Sequence, residues 1–144
     1  MVAIPEASPG LVIRYAYLWK READRHRTEG SKERPGVVVL AVTDGKGGGK
    51  TVWVAPITHT RPNDPEEAIE IPMRTGLRLG LDENRSWIVI SEVNRFTWPG
   101  PDLRPVEPGR WAYGPLPAGL FRSVREHLAD LARRRKIAEV RRSP

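Results

Sequence analysis

The run ERPGVVVLAV (residues 33–42) is the most apolar stretch of an otherwise polar chain, and it opens with an Arg-Pro pair. Val37, Val38, Val39 and Leu40 read as a buried strand, because β-branched side chains fit a pleated, packed surface. Pro35 has no N–H to give to a ladder, so the strand is expected at or just after it, over residues 36–42. Arg34 then stands at the mouth of a core strand, with its charged head in solvent or in a cleft.

On the N-terminal side, KREADRHRTEGSKE (residues 20–33) is highly charged and lacks apolar periodicity, which marks a long exposed loop. LVIRYAYLW (11–19), rich in β-formers, precedes it as the first strand. On the C-terminal side, TDGKGGGK tolerates positive φ and reads as a hairpin turn into a third strand, TVWVAPIT (51–58). After the Pro-rich HTRPNDPEE come a short strand in AIEIP, a single helical turn in MRTGLRLGL and a further strand in SWIVISEV (86–93). NRFTWPGPDLRPVEPG, with four prolines, is expected to be extended and irregular.

From Pro117 the period changes. Leu120, Val124, Leu128 and Leu131 fall on one helical face, Pro117 suits a helix start, and the basic run ARRRK suits a helix C-terminus. Five or so short strands before one helix predict a mainly β fold with a C-terminal helix, in the form of a small, mostly antiparallel barrel. The expected layout is one domain over 1–144, with the barrel at 8–116, the helix at 117–140 and a basic tail at 141–144.

A chain of 144 residues with 39% hydrophobic and 29% charged side chains has ordinary proportions for a globular domain. No apolar run approaches the roughly 20 residues of a membrane-spanning helix. MVAIPEASPG lacks the basic-then-apolar order of a secretory signal. Cysteine is absent, which excludes disulfides and thiolate metal sites and leads to the expectation of a cytoplasmic protein. Residues 1–109 carry 15 basic and 15 acidic side chains, whereas residues 110–144 carry nine and three, so the net charge of +6 lies in the last quarter. A neutral body with a basic end suits a polyanion or an acidic partner.

GKGGGKT resembles a phosphate-binding loop, but the glycine that motif needs falls on Asp44, and a strand follows where a helix is required. His26, His59 and His127 lack paired ligand spacing, so neither a metal nor a cofactor is expected. What remains is polar residues at strand ends: Arg34 before the second strand, Thr58 and His59 after the third, Glu92 and Arg95 at the end of the later one. Gathered on one rim, they are the ingredients of metal-free RNA cleavage: a base for the 2′-OH, an acid for the 5′-oxygen, and cations for the charge on phosphorus. Histidine exchanges protons in the neutral range, and arginine matches phosphate bidentately. Strand periodicity alone does not show that these ends converge.

The same residues carry a family likeness. PGLVIRYAYLW is similar to the first strand of the PemK/MazF-like toxins of bacterial toxin–antitoxin pairs, with Leu11 in place of the usual acid. ERPGVVVLAV resembles their Arg-Pro signature, VAPITHT their strand ending in threonine, and AIEIP and SWIVISEVNRFTW two later segments. The resemblance runs from about Pro9 to Leu131. It implies an SH3-like barrel of the PemK/CcdB type, forming a homodimer with a C-terminal helix. The implied activity is a metal-independent endoribonuclease that cuts single-stranded mRNA to 2′,3′-cyclic phosphate and 5′-OH ends, and that an acidic cognate antitoxin blocks.

By position, Arg34 matches the catalytic arginine of that family, Thr58 its phosphate-stabilising threonine, Glu92 the acidic base of some members, and Glu29 a loop glutamate. An arginine that serves as acid in one branch is replaced here by Ile90, which leaves Arg34 or His59 for that role. Of the aromatic residues, Trp19 and Trp98 adjoin loops and are expected to contact RNA, while Tyr17, Trp53 and Trp87 suit a core or interface. Glu29 and Lys32 lie in the charged loop expected to close over RNA or antitoxin, and Arg95 is expected at the same rim. Two alternatives stand beside this reading: a CcdB-like gyrase-binding toxin without nuclease activity, and an RNA-binding barrel that has lost catalysis.

Overall fold

The computed structural model describes residues 4–20, 32–44, 49–82, 84–134 and 136–141. Its strands are β1 (Leu11–Tyr17), β2 (Lys32–Thr43), β3 (Lys50–Thr58), β4 (Ala68–Ile71), β5 (Ser86–Val89), β6 (Glu92–Trp98), β7 (Leu103–Arg104), β8 (Gly114–Pro115) and β9 (Ala138–Arg141). Two α-helices interrupt them among the described residues, α1 (Met73–Leu79) and α2 (Ala118–Arg133). Among the described residues, no helix is long and apolar enough to cross a membrane.

The apolar run of β2 is explained by burial on both faces. Val37 joins a core with Val12, Ala55, Ile57 and Val93, over which Leu79 of α1 and Val124 and Leu131 of α2 pack. The next residue, Val38, points to a second core of Ile13, Tyr15, Tyr17, Val52, Val54 and Phe96, closed by Leu103 and Ala7. Alternate side chains of β1, β2 and β3 thus feed opposite cores, and strands covered on both faces carry continuous apolar runs. At Val39 the β2–β3 register shifts, because Val38 faces Val54 while Leu40 faces Trp53. This bulge turns the end of β2 outward, leaving Leu40 and Val42 exposed.

The expected closed barrel does not form. Among the described residues the fold is mixed α/β, with nine strands in one open sheet in the order β4-β5-β3-β2-β1-β7; β6 branches from β3 and carries β9 beyond it, and β8 pairs with β1. The sheet forks along β3. Residues Lys50 to Val54 pair with β6, whereas Ile57 and Thr58 pair with β5. Between the two ladders stands Pro56, which has no N–H to offer a third neighbour. At the far edge, β7 contributes only two residues, too few to carry a ladder round to β4.

Several element boundaries also differ from expectation, and the stretch 94–109, expected to be irregular, supplies most of β6 and all of β7. β2 begins at Lys32, running through Pro35, because its pairing with β3 starts only at Gly36; ahead of that point β1 alone is its partner, and a proline is tolerated at a one-sided edge. The strand expected over 86–93 is two strands separated at Ile90–Ser91, where Ile90 N donates to Glu67 O (2.8 Å) and Ser91 O accepts from Ala138 N (2.8 Å). Finally, the helix expected over 117–140 stops at Arg133. Lys136 N closes back on Leu131 O (2.9 Å), and the period changes from 3.6 to 2, so residues 138–141 pair with β6 as a parallel strand that buries Val140. The expected basic tail therefore starts within β9, and residues 142–144 lie outside the described residues.

Candidate functional site

Antiparallel alternation brings the end of β1, the start of β2 and the end of β3 to one edge of the sheet, and β6, antiparallel to β3, begins there too. The resulting cleft of about 540 Å³ is lined by Trp19, Arg34, Thr58, His59 and Glu92, all expected at the site from sequence. Arg14, Tyr113, Glu33, Glu67 and Asp82 complete its polar wall.

Arg34 lies opposite Tyr15 in the β1–β2 register, and its guanidinium carbon stands 5.3 Å from the centre of the Trp19 ring. Trp19 itself packs edge-on against Tyr17 at 4.9 Å, and Tyr17 against Tyr15 at 5.5 Å, so an aromatic row along β1 carries the cation at its end. Tyr17 is fully buried, and its hydroxyl has no hydrogen-bond partner among the described residues. Its pKa is raised first by burial and then by the Glu92 carboxylate, with Arg34 opposing, so the phenol stays protonated.

Glu92 opens β6, 9% exposed, and accepts a hydrogen bond from the backbone N–H of Lys20. Two residues on, the fully buried Asn94 accepts from Leu18 N (3.0 Å) through Oδ1 and donates to Leu18 O (2.9 Å) through Nδ2. That amide imitates a strand partner and pins the end of β1 against β6, which sets Trp19 and Lys20 over Glu92. Thr58 Oγ1 accepts from Thr60 N (3.1 Å), so its hydroxyl hydrogen is left to donate outward.

His59 lines the cleft, but both of its ring nitrogens meet acceptors. Nδ1 lies 2.9 Å from Arg85 O, and Nε2 lies 2.9 Å from Asp82 Oδ2, an ion pair only when the ring is protonated. On the opposite wall Arg14 donates to Glu33 (3.2 Å) and to the Tyr113 hydroxyl (3.3 Å), and Glu33 also meets Arg104 (3.3 Å). The Tyr113 contact is the largest cause raising the Arg14 pKa, and Glu33 adds to it. Glu33 therefore faces two cations, Arg14 and Arg104, while Asp82 faces the His59 ring.

Two expected residues do not reach the cleft. Arg95 lies in mid-strand rather than at a strand end, and pairs with Glu139 of β9 (3.2 Å), which also accepts from Trp53 Nε1 (2.7 Å). Trp98 closes the far end of β6, about 20 Å from Glu92 at 3.3 Å per residue. It stacks on Phe96 and donates from Nε1 to Pro5 O (3.1 Å). Glu29 lies outside the described residues, and Lys32 is placed only as the first residue of β2. Among the described residues no cluster of three or more His, Cys, Asp or Glu has the arrangement of a metal site.

Arg14 and Tyr113 were not singled out from sequence. The signal for Arg14 was a charge inside LVIRYAY, where alternation sets it on the face of Val12 and Ala16. Tyr113 had none, since only its packing beside β1 brings it there. No protein-family model matches the chain, and neither does any curated protein sequence.

Proposed function

We propose that this cleft binds and cleaves a phosphodiester of single-stranded RNA without a metal ion, in the manner of a PemK/MazF-like toxin. The observation that carries the reading is that Arg34, Thr58 and Glu92, from three separate parts of the chain, line one cavity. Glu92 takes the 2′-hydroxyl proton as that oxygen attacks phosphorus, and the bond from phosphorus to the 5′-oxygen breaks. Arg34, with Arg14 lining the same cleft, neutralises charge on the non-bridging oxygens, and the Thr58 hydroxyl donates to one of them. The protonated His59 turns from Asp82 to give its proton to the leaving oxygen, so the products are a 2′,3′-cyclic phosphate and a 5′-OH. In this reading the protein acts as a cytoplasmic homodimer, and an acidic antitoxin segment occupies the cleft to silence it.

The engagement of both His59 nitrogens favours a second reading, RNA binding without cleavage. Incubating the pure protein with a defined RNA in EDTA separates the two. Cleavage with 5′-OH ends, slowed by about 10²–10³-fold in Arg34→Ala with its circular dichroism unchanged, supports the nuclease. Binding with no cleavage supports the second reading, and cleavage that EDTA abolishes contradicts the first.

A further inference from the structure

Beyond Glu92 the cleft opens into a second cavity of about 580 Å³, lined by Lys20, Lys136 and Ala138 and by Glu67, Ser91 and Glu92. The last three line the first cavity as well, so the two are continuous across Glu92. We infer that this extension carries the nucleotides flanking the reacting phosphodiester, with Lys136 and Lys20 as their phosphate contacts. The inference rests on the RNA reading above and deepens it.

Both lysines are exposed, and each hangs from a backbone position tied to the cleft. Lys20 donates its N–H to the Glu92 carboxylate. Lys136 is bracketed by its own N–H on Leu131 O (2.9 Å) and, two residues later, by Ala138 N on Ser91 O (2.8 Å). The return of the chain as β9 beside β6 is thus what delivers one cation of the basic C-terminal quarter to the cleft. A polymer with a charge on every nucleotide requires a cation beyond the reacting phosphate, and lysine suits that place as a mobile point charge. Trp19, directly before Lys20 and carrying the Arg34 guanidinium over its ring, lines the first cavity, so an aromatic side chain adjoins the path as in single-strand binders.

The test is fluorescence anisotropy of labelled 2′-O-methyl RNA, uncleavable because the nucleophile is blocked, as a dinucleotide and as an octanucleotide over a range of salt. Each phosphate contact to a single strand contributes about 0.7 to the slope of log K against log salt. Lys136→Gln is expected to lower the octanucleotide slope by about 0.7, and the double variant with Lys20→Gln by about twice that, with a smaller loss for the dinucleotide. Arg122→Gln removes an equal charge from an exposed position lining neither cavity and leaves the slope unmoved. An unchanged octanucleotide slope in the double variant overturns the inference, as does an equal loss for both lengths or a loss seen only with a polyglutamate peptide. If wild type binds neither RNA, the RNA reading itself fails, which is a different result.

Discussion

At the scale of single residues, the cleft depends on close approaches that leave little room. A Cβ added at Gly36 would stand 2.7 Å from Val54 Cγ1 and 2.9 Å from Tyr15 Cε1, so this glycine lets β1 and β3 close over the residue two after Arg34. Gly36→Ala is expected to lose about 1–3 kcal/mol in urea unfolding through overpacking. Asn94 makes a stronger demand, because Asn94→Ala leaves the N–H and C=O of Leu18 buried without their amide. The cost should reach about 2–4 kcal/mol, and Trp19 fluorescence should report a loosened end of β1.

At the scale of elements, the strands are legible where one physical rule acts alone. Val37 and Val38 are apolar because both faces of β2 are covered there, and the spacing of Leu120, Val124, Leu128 and Leu131 marks the stripe by which α2 docks. Leu131, 2% exposed, anchors the end of that stripe, and Leu131→Ala should cost about 2–5 kcal/mol in thermal or chemical unfolding. Breaks imposed by distant partners are not legible. SWIVISEV reads as one strand because all its residues suit strands, yet Ile90 bonds to Glu67 and Ser91 to Ala138. That split makes Glu92 the first residue of β6 and moves Arg95 into mid-strand, so one expectation about the site reached the cleft and the other did not. Within the β4–β5 hairpin, Arg85 grips Glu70 through two bonds of 2.8 and 2.9 Å while stacking 5.0 Å over Trp87. The hydrogen bond from Arg85 is the main cause lowering the Glu70 pKa. Its contribution to stability is therefore complete above the unfolded carboxylate range and is lost as pH falls through the lowered value. Glu70→Gln should lower the melting temperature slightly in the neutral region and converge with wild type at low pH, so that the acid side of the profile flattens.

At the scale of the whole molecule, an open sheet lies between two cores, and its forked edge at Pro56 is where the cleft opens. Topology of this kind depends on contacts far apart in sequence, which is why the barrel expectation failed although most of its strands were found. The basic end of the chain, expected from sequence to be helix as far as residue 140 and a basic tail after it, proves to contain a strand, β9, that covers β6 from Glu92 to Arg95. Ending the chain at Lys136 should bare that strand edge, lower the melting temperature and promote aggregation. The central claim is that Arg34, Thr58 and Glu92 act together on one phosphodiester, and the most direct measurement is single-turnover cleavage of a defined RNA in EDTA by wild type, the three single variants and the triple variant. The account predicts 5′-OH products and strongly non-additive losses, each alanine costing nearly as much as all three. Wild-type rates in Arg34→Ala, or losses that simply multiply, would contradict it.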